Sequence, residues 1–529
     1  MPVTAPEILL RKHSPSESSV HPRILIFSAS LVMKGIIGVL FFGSVDLINS
    51  ATNSLALLAG GQVHLPYLPA INAFLWFGGV LSATLGVPFP LSLKLVPILF
   101  DSLLAVLIYD LVRRSEPPLA LRAGLLYALS PIALLITSFH GQWDAIALFF
   151  LLLAFGVLQG SRLDPRKELL FGVLFGVSIL IKPIGIPFLL LFPSGKRWKR
   201  IMDRPAIVGL AVVLGIAFVI FASCGYSIVD TLILIFCYSA KGAQEVGLPF
   251  SPFLSHFHIQ NYRLYWILPA MAGIGWLHHR RKLTAIDAVL LFYLYCTATT
   301  GISPQYLLWP LPFLIVTKRL RLAALYTAVA TAFLLIFYSN PWASYFAFEN
   351  MGVFAPLRAF SWLLPPAALE KCELLTVVHA LGNLVLPACA MVIGAYVVRT
   401  SQRQMAEEHN RVDELWHWSA VRWYVAPSFL LCATMLVSKL TVNTSQLYFR
   451  LAQIWNTLPG AYGLRILWRD PKIVVVQDSA GYALPNIVVL LALYAAIWCV
   501  LCIASAVARM QTPRYTVISE GMTETAADA

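Results

Sequence analysis

The stretch LLYALSPIALLITSFHGQWDAIALFFLLLAFGVL, Leu125–Leu158, decides the fold class. Apolar residues run from Leu119 to Ile136 and again from Ala145 to Leu158. Each run approaches the roughly 20 residues that a helix needs to cross a bilayer. Between them stand His140, Gln142, Trp143 and Asp144, hydrogen-bonding groups at the junction of two membrane helices. They form either a polar turn where two helices meet water or part of a site, and topology decides which reading carries weight.

The composition extends the membrane reading to the whole chain. Of 529 residues 59% are hydrophobic and 12% charged, with a mean hydropathy of +0.76. No soluble core needs so much apolar sequence, so an all-α polytopic membrane protein is expected, with about 12–14 transmembrane helices. Residues 1–22 are polar, and the first apolar run is long enough to stay as a span rather than serve as a signal peptide. The net charge of +13 does not point to nucleic acid, because the bases sit in short clusters between apolar runs. Cysteines such as Cys296, Cys389, Cys499 and Cys502 fall inside apolar runs and read as small buried residues.

Those basic clusters orient the spans. Arg11/Lys12, Arg113/Arg114, Arg162/Arg166/Lys167, Lys196–Arg200, His278–Lys282, Lys318–Arg321 and Arg399/Arg403 should all face the cytoplasm. One path satisfies them, with spans near 24–43, 90–111, 118–138 and 143–160. A segment follows at 169–193, broken at IKPIG, because Pro183 removes a backbone donor. Further spans lie near 206–224, 262–277, 283–301, 305–317, 321–338, 375–397, 423–440 and 484–508. Both termini are then cytoplasmic. Pro66–Thr84 cannot cross on this path, and belongs to a long first external loop, 44–89, as an interfacial helix. Other long external segments span about 225–261, 339–374 and 441–483. Arg399–Arg422, ending in ELWHWSAVR, is expected on the inner membrane surface.

Candidate functional residues gather on the outer side. Asp46, in FFGSVDLINS, lies just past the first span, and Asp144 offers a second carboxylate near a helix start, where negative charge is favourable. His140 and Gln142 add donors. Lys182 sits at membrane depth, where a charge is costly and demands a cavity or a partner; an anionic ligand or an outer carboxylate would serve. Lys34 and Asp101 fall mid-span and read as a structural ion pair. In GISPQYLLWPLP, Pro304 starts a helix and presents Gln305 and Tyr306 from its first turn, with Trp309 beyond. Outward bases, including Arg358, suit anionic groups. No phosphate-cradling Gly loop, HExxH, GxSxG or Asp-x-Asp pair stands in a plausible context, so a cytoplasmic nucleotide-dependent site is not expected.

Asp46 at the start of a long first loop, GGQVHLPYLPA (60–70), LYALSPIALLITSFHGQWDAIALFFLLLAF (126–155) and GISPQYLLWPLP (301–312) together resemble the integral-membrane GT-C glycosyltransferases. The likeness, over about residues 24–320, is to polyprenyl-phosphate-sugar-dependent mannosyltransferases of the GPI-mannosyltransferase-like and mycobacterial phosphoinositide-mannosyltransferase-like groups. It implies a GT-C-type catalytic membrane module at 23–322 between a tail at 1–22 and a second transmembrane module at 323–508, with a tail at 509–529. It also implies that Asp46 is the general base. His64, Tyr67, His140, Gln142, Asp144, Lys182, Gln305, Tyr306 and Arg358 would bind substrate. The donor would be a polyprenyl-phosphate sugar, mannose favoured, and the acceptor a lipid, glycan or protein. Inverting transfer would need no metal, at the outer face of a cytoplasmic membrane or the luminal face of the endoplasmic reticulum. The first loop departs from the Tyr-Pro-Pro sequence common in related families, reading Pro66-Tyr67-Leu68-Pro69, and the paired acidic loop motif of eukaryotic members is absent. A saccharide-lipid flippase or a glycan ligase would share the cationic cavities and many spans.

Overall fold

The computed structural model describes residues 20–40, 50, 53–54, 56–60, 70–85, 89–158, 164–185, 204–229, 263–280, 283–298, 304–339 and 373–406. Among them every regular element is helical: α1 (Val20–Leu40), α2 (Ala70–Leu85), α3 (Phe89–Ser115), α4 (Pro117–Ala128), α5 (Asp144–Leu158), α6 (Pro165–Ile181), α7 (Arg204–Ser223), α8 (Arg263–His279), α9 (Ala285–Ala298), α10 (Pro310–Val316), α11 (Leu320–Ser339) and α12 (Glu373–Ala406). A π turn, Leu134–Phe139, precedes α5, and a 3₁₀ turn, Pro304–Leu308, precedes α10. The protein is thus an all-α membrane protein. The described helical segments Leu91–Ser115, Pro117–Phe139 and Pro205–Ser223 are long and apolar enough to cross a bilayer.

Two helices sit at the centre because they are apolar on every side. Eleven of the fifteen residues of α5 and the whole of α10 are buried, as expected of helices without a polar face. α5 packs on α3 and α6, while α10 joins α9 and α11 to α3 and α4. At the margin α7 leaves Val208, Val212, Ile216, Val219 and Ile220 exposed, an apolar face suited to lipid. It is held to α6 by backbone approach. A Cβ on Gly172 would collide with the Ala206 carbonyl, and one on Gly209 with the Leu169 carbonyl, so small residues set this packing.

Charge separates the two ends of the bundle. At one end Arg23 pairs with Asp110 (2.8 Å), Lys318 with Glu116 (3.4 Å), and Arg319 with Asp287. There too Arg114 donates to the Gly156 carbonyl at 3.0 Å, and Arg319 to Thr400 at 3.1 Å. The other end collects the start of α3 and α5, the end of α6 and the 3₁₀ turn. Midway, Lys34 and Asp101, both fully buried, lie 2.9 Å apart. Tyr127 donates to Asp101 at 2.6 Å and Lys34 to Ser30 at 2.8 Å, so the ion pair knits α1, α3 and α4.

Local chemistry breaks elements where hydropathy alone draws continuous spans. The expected span at 118–138 is interrupted, because Pro131 lacks an N–H and pushes Ser130 into extended backbone (φ −64, ψ 127). At IKPIG, α6 runs unbroken to Ile181 before a 3₁₀ turn at Pro183–Gly185; the segment beyond 185 lies outside the described residues. Arg399 does not begin a separate surface segment, since α12 continues through it to Ala406. α2, with 16 residues, is about 24 Å long, short of the roughly 30 Å apolar core. Its Gly78 meets Leu93 near the start of α3, and Phe74 lies 5.5 Å from the Trp143 ring.

Candidate functional site

The opening HGQWD segment becomes a junction because of how the preceding helix ends. The π turn closes with His140 N–H donating to the Leu135 carbonyl (2.8 Å) and Gln142 N–H to the Ile136 carbonyl (3.1 Å). Gly141, at φ +77, supplies the left-handed residue that such a termination requires. α5 then starts at Asp144, whose carboxylate sits in the first turn where the helix dipole favours it.

Asp144 is fully buried, and both its oxygens are engaged. Lys182 Nζ meets Oδ2 at 2.5 Å, and Trp309 Nε1 donates to Oδ1 at 2.6 Å. One carboxylate thereby ties the start of α5 to the end of α6 and to the residue that joins the 3₁₀ turn to α10. The position of Lys182 follows from its neighbour. Pro183 forces Lys182 out of helical geometry (φ −151, ψ 134), so it caps α6, where a cation is favourable. Ser178 Oγ donates to the Ala147 carbonyl at 2.8 Å and holds α6 against α5.

Aromatic residues wall the cluster. Trp309 lies 4.4 Å from the Tyr306 ring and 5.4 Å from that of Tyr293, centroid to centroid. Tyr293 donates to the Ile184 carbonyl at 3.3 Å, and Tyr326 to the Leu307 carbonyl at 2.9 Å, so α9 and α11 brace the two turns. His140, Gln142 and Gln305 are buried, and Tyr306 is half-buried.

Six of the sequence candidates therefore meet at one end of the bundle: His140, Gln142, Asp144, Lys182, Gln305 and Tyr306. Asp46, His64, Tyr67 and Arg358 lie outside the described residues. Sequence reasoning placed Trp309 just beyond Gln305 and Tyr306 but missed that it anchors the carboxylate; only the fold brings residues 165 apart in the chain into contact. It also missed Lys94, fully buried in α3, whose ammonium approaches the Gly38 carbonyl at 3.4 Å. That signal was present, because a lysine in LSLKLVPILF carries the same penalty that flags Lys182.

Residues 76–233 match the family model described as glycosyltransferase family 87. The chain is a glycosyltransferase. The match runs from within α2 to just past α7 and so includes His140, Gln142, Asp144 and Lys182. Searches of curated proteins and of solved structures return no match.

Proposed function

We propose that this glycosyltransferase moves a sugar, mannose favoured, from a polyprenyl-phosphate-linked donor to a lipid, glycan or protein acceptor, with inversion. The observation that carries this reading is the separation of charge in the bundle. Arg113, Arg114, Lys318 and Arg319 gather at one end, and the His140–Asp144–Lys182–Trp309 cluster at the other. With the basic end cytoplasmic, the cluster lies toward the outer or luminal side. A lipid-linked donor reaches that side through the bilayer, and its phosphate already provides the leaving group.

In the proposed step the acceptor hydroxyl attacks the anomeric carbon while Asp46 takes its proton. The bond from that carbon to the phosphate oxygen breaks, and polyprenyl phosphate departs with the electron pair. Lys182 is neutralised by Asp144 at 2.5 Å, which leaves His140 and Arg358 as the proposed phosphate partners. Cationic and hydrogen-bonding side chains serve the phosphate, so no metal is required in this scheme.

Purified protein in detergent is to be incubated with a panel of polyprenyl-phosphate sugars and acceptor lipids, followed by mass analysis. A sugar-extended acceptor is expected. Its absence across the panel would overturn the donor assignment, and a flippase would yield no such product where no membrane separates two sides.

A further inference from the structure

Among the described residues, Ser130 Oγ, Thr137 Oγ1, Ser138 Oγ and Gln305 Oε1 are buried without a hydrogen-bond partner. They are not scattered. Ser130 leads into the Pro131–Ala133 turn, Thr137 and Ser138 end the π turn, and Gln305 opens the 3₁₀ turn. Both of the first two turns pack directly against the third. A buried polar group left unmatched forfeits the hydrogen bonds it made to water, and four of them together weigh heavily against the marginal stability of an ordinary domain. Folding gives no reason to keep such a group of atoms, whereas a hydrogen-bonding occupant does.

The chemistry of the set selects that occupant. All four groups are uncharged, and the nearest ion pair, Lys182 with Asp144, is already internally neutralised. A phosphate would call for cations. Hydroxyls that donate and accept, with an amide oxygen that accepts, match the alternating hydroxyls of a sugar ring. Tyr306 adds a half-buried ring, tilted against Trp309, that offers an apolar surface to the C–H face of a pyranose.

We propose that Thr137, Ser138 and Gln305, with Ser130 behind them, form the subsite that reads the hydroxyls of the transferred sugar, with Tyr306 as its stacking wall. The sugar enters by parting the π turn from the 3₁₀ turn. The proposal rests on the lipid-linked donor reading above.

Binding to the full-length protein in nanodiscs separates the two. The probes are polyprenyl phosphate and the same lipid carrying mannose, glucose, galactose or arabinose. The unaltered protein should bind at least one sugar-bearing lipid tenfold or more tighter than the bare phosphate. Thr137→Val, Ser138→Ala and Gln305→Leu should each reduce that preference three- to tenfold and leave affinity for bare polyprenyl phosphate unchanged. Their melting temperatures should hold or rise, because each removes a polar atom that has no protein partner; a fall in all three would mean that these groups are structural, against the proposal. Equal affinity of the unaltered protein for bare and sugar-bearing lipids, or variants that keep the full preference, would overturn the subsite and leave the donor reading standing. Binding of none of these lipids would overturn the donor reading, and the subsite with it.

Discussion

Neutralising the Asp144–Lys182 pair in two steps tests whether it is the knot that holds the site together. Asp144→Asn keeps an oxygen for the Trp309 indole but turns a carboxylate into an amide facing a buried ammonium. Lys182 is 6% exposed and Asp144 is 0% exposed, so solvent offers little relief to the charge left behind. Breaking a buried pair from one side costs about 3–5 kcal/mol. Lys182→Met strands the carboxylate with the Trp309 donor and falls in the same range. The double variant removes both charges at nearly constant shape, and its loss should be about 1 kcal/mol, that of one exchanged hydrogen bond. Two single losses of at least about 3 kcal/mol that collapse to about 1 in the double variant give a coupling of at least about 5 kcal/mol in the double-mutant cycle. Reversible unfolding in mixed micelles, followed by tryptophan fluorescence, measures it. Additive losses, or single variants within about 0.5 kcal/mol of the unaltered protein, the range of ordinary surface changes, would refute the reasoning. Transfer by the double variant carries further information: activity kept with stability makes the pair a scaffold, and activity lost with stability kept places it against substrate.

Trp309→Phe retains the ring but deprives Asp144 Oδ1 of its donor at 2.6 Å, so a stability loss of about 1–3 kcal/mol is expected in the same unfolding assay. Asp46→Asn should lower transfer by roughly 100-fold or more while donor binding persists, as for a lost general base; near-native turnover in a radiolabelled transfer assay would move the role elsewhere. Chelation with EDTA should leave transfer intact, and inhibition reversed by Mg²⁺ or Mn²⁺ would contradict the metal-free scheme. Gly172→Leu should separate α6 from α7 because its side chain collides with the Ala206 backbone, which a marked fall in melting temperature would register.

Helical spans and the Lys34–Asp101 pair were legible in the sequence because their causes are local or follow from simple costs. A run of apolar residues can only be satisfied as a helix in lipid, and a charge at mid-span must find its opposite. The same reasoning marked His140, Gln142, Asp144 and Lys182 as polar groups at a boundary, and the proline at 183 announced a break. Other features depended on distance in space. That Lys182 chooses Asp144 at 2.5 Å follows from α6 lying against α5, and the third member, Trp309, arrives from far along the chain. Hydropathy could not foresee the interruption of the 118–138 segment into a helix, a proline turn and a π turn, because it averages over the backbone bonds that Pro131 and Gly141 decide. The unmatched hydroxyls of Ser130, Thr137 and Ser138 were invisible for the same reason. A serine or threonine in an apolar run ordinarily has a nearby carbonyl to serve it, and only tertiary packing reveals which have none.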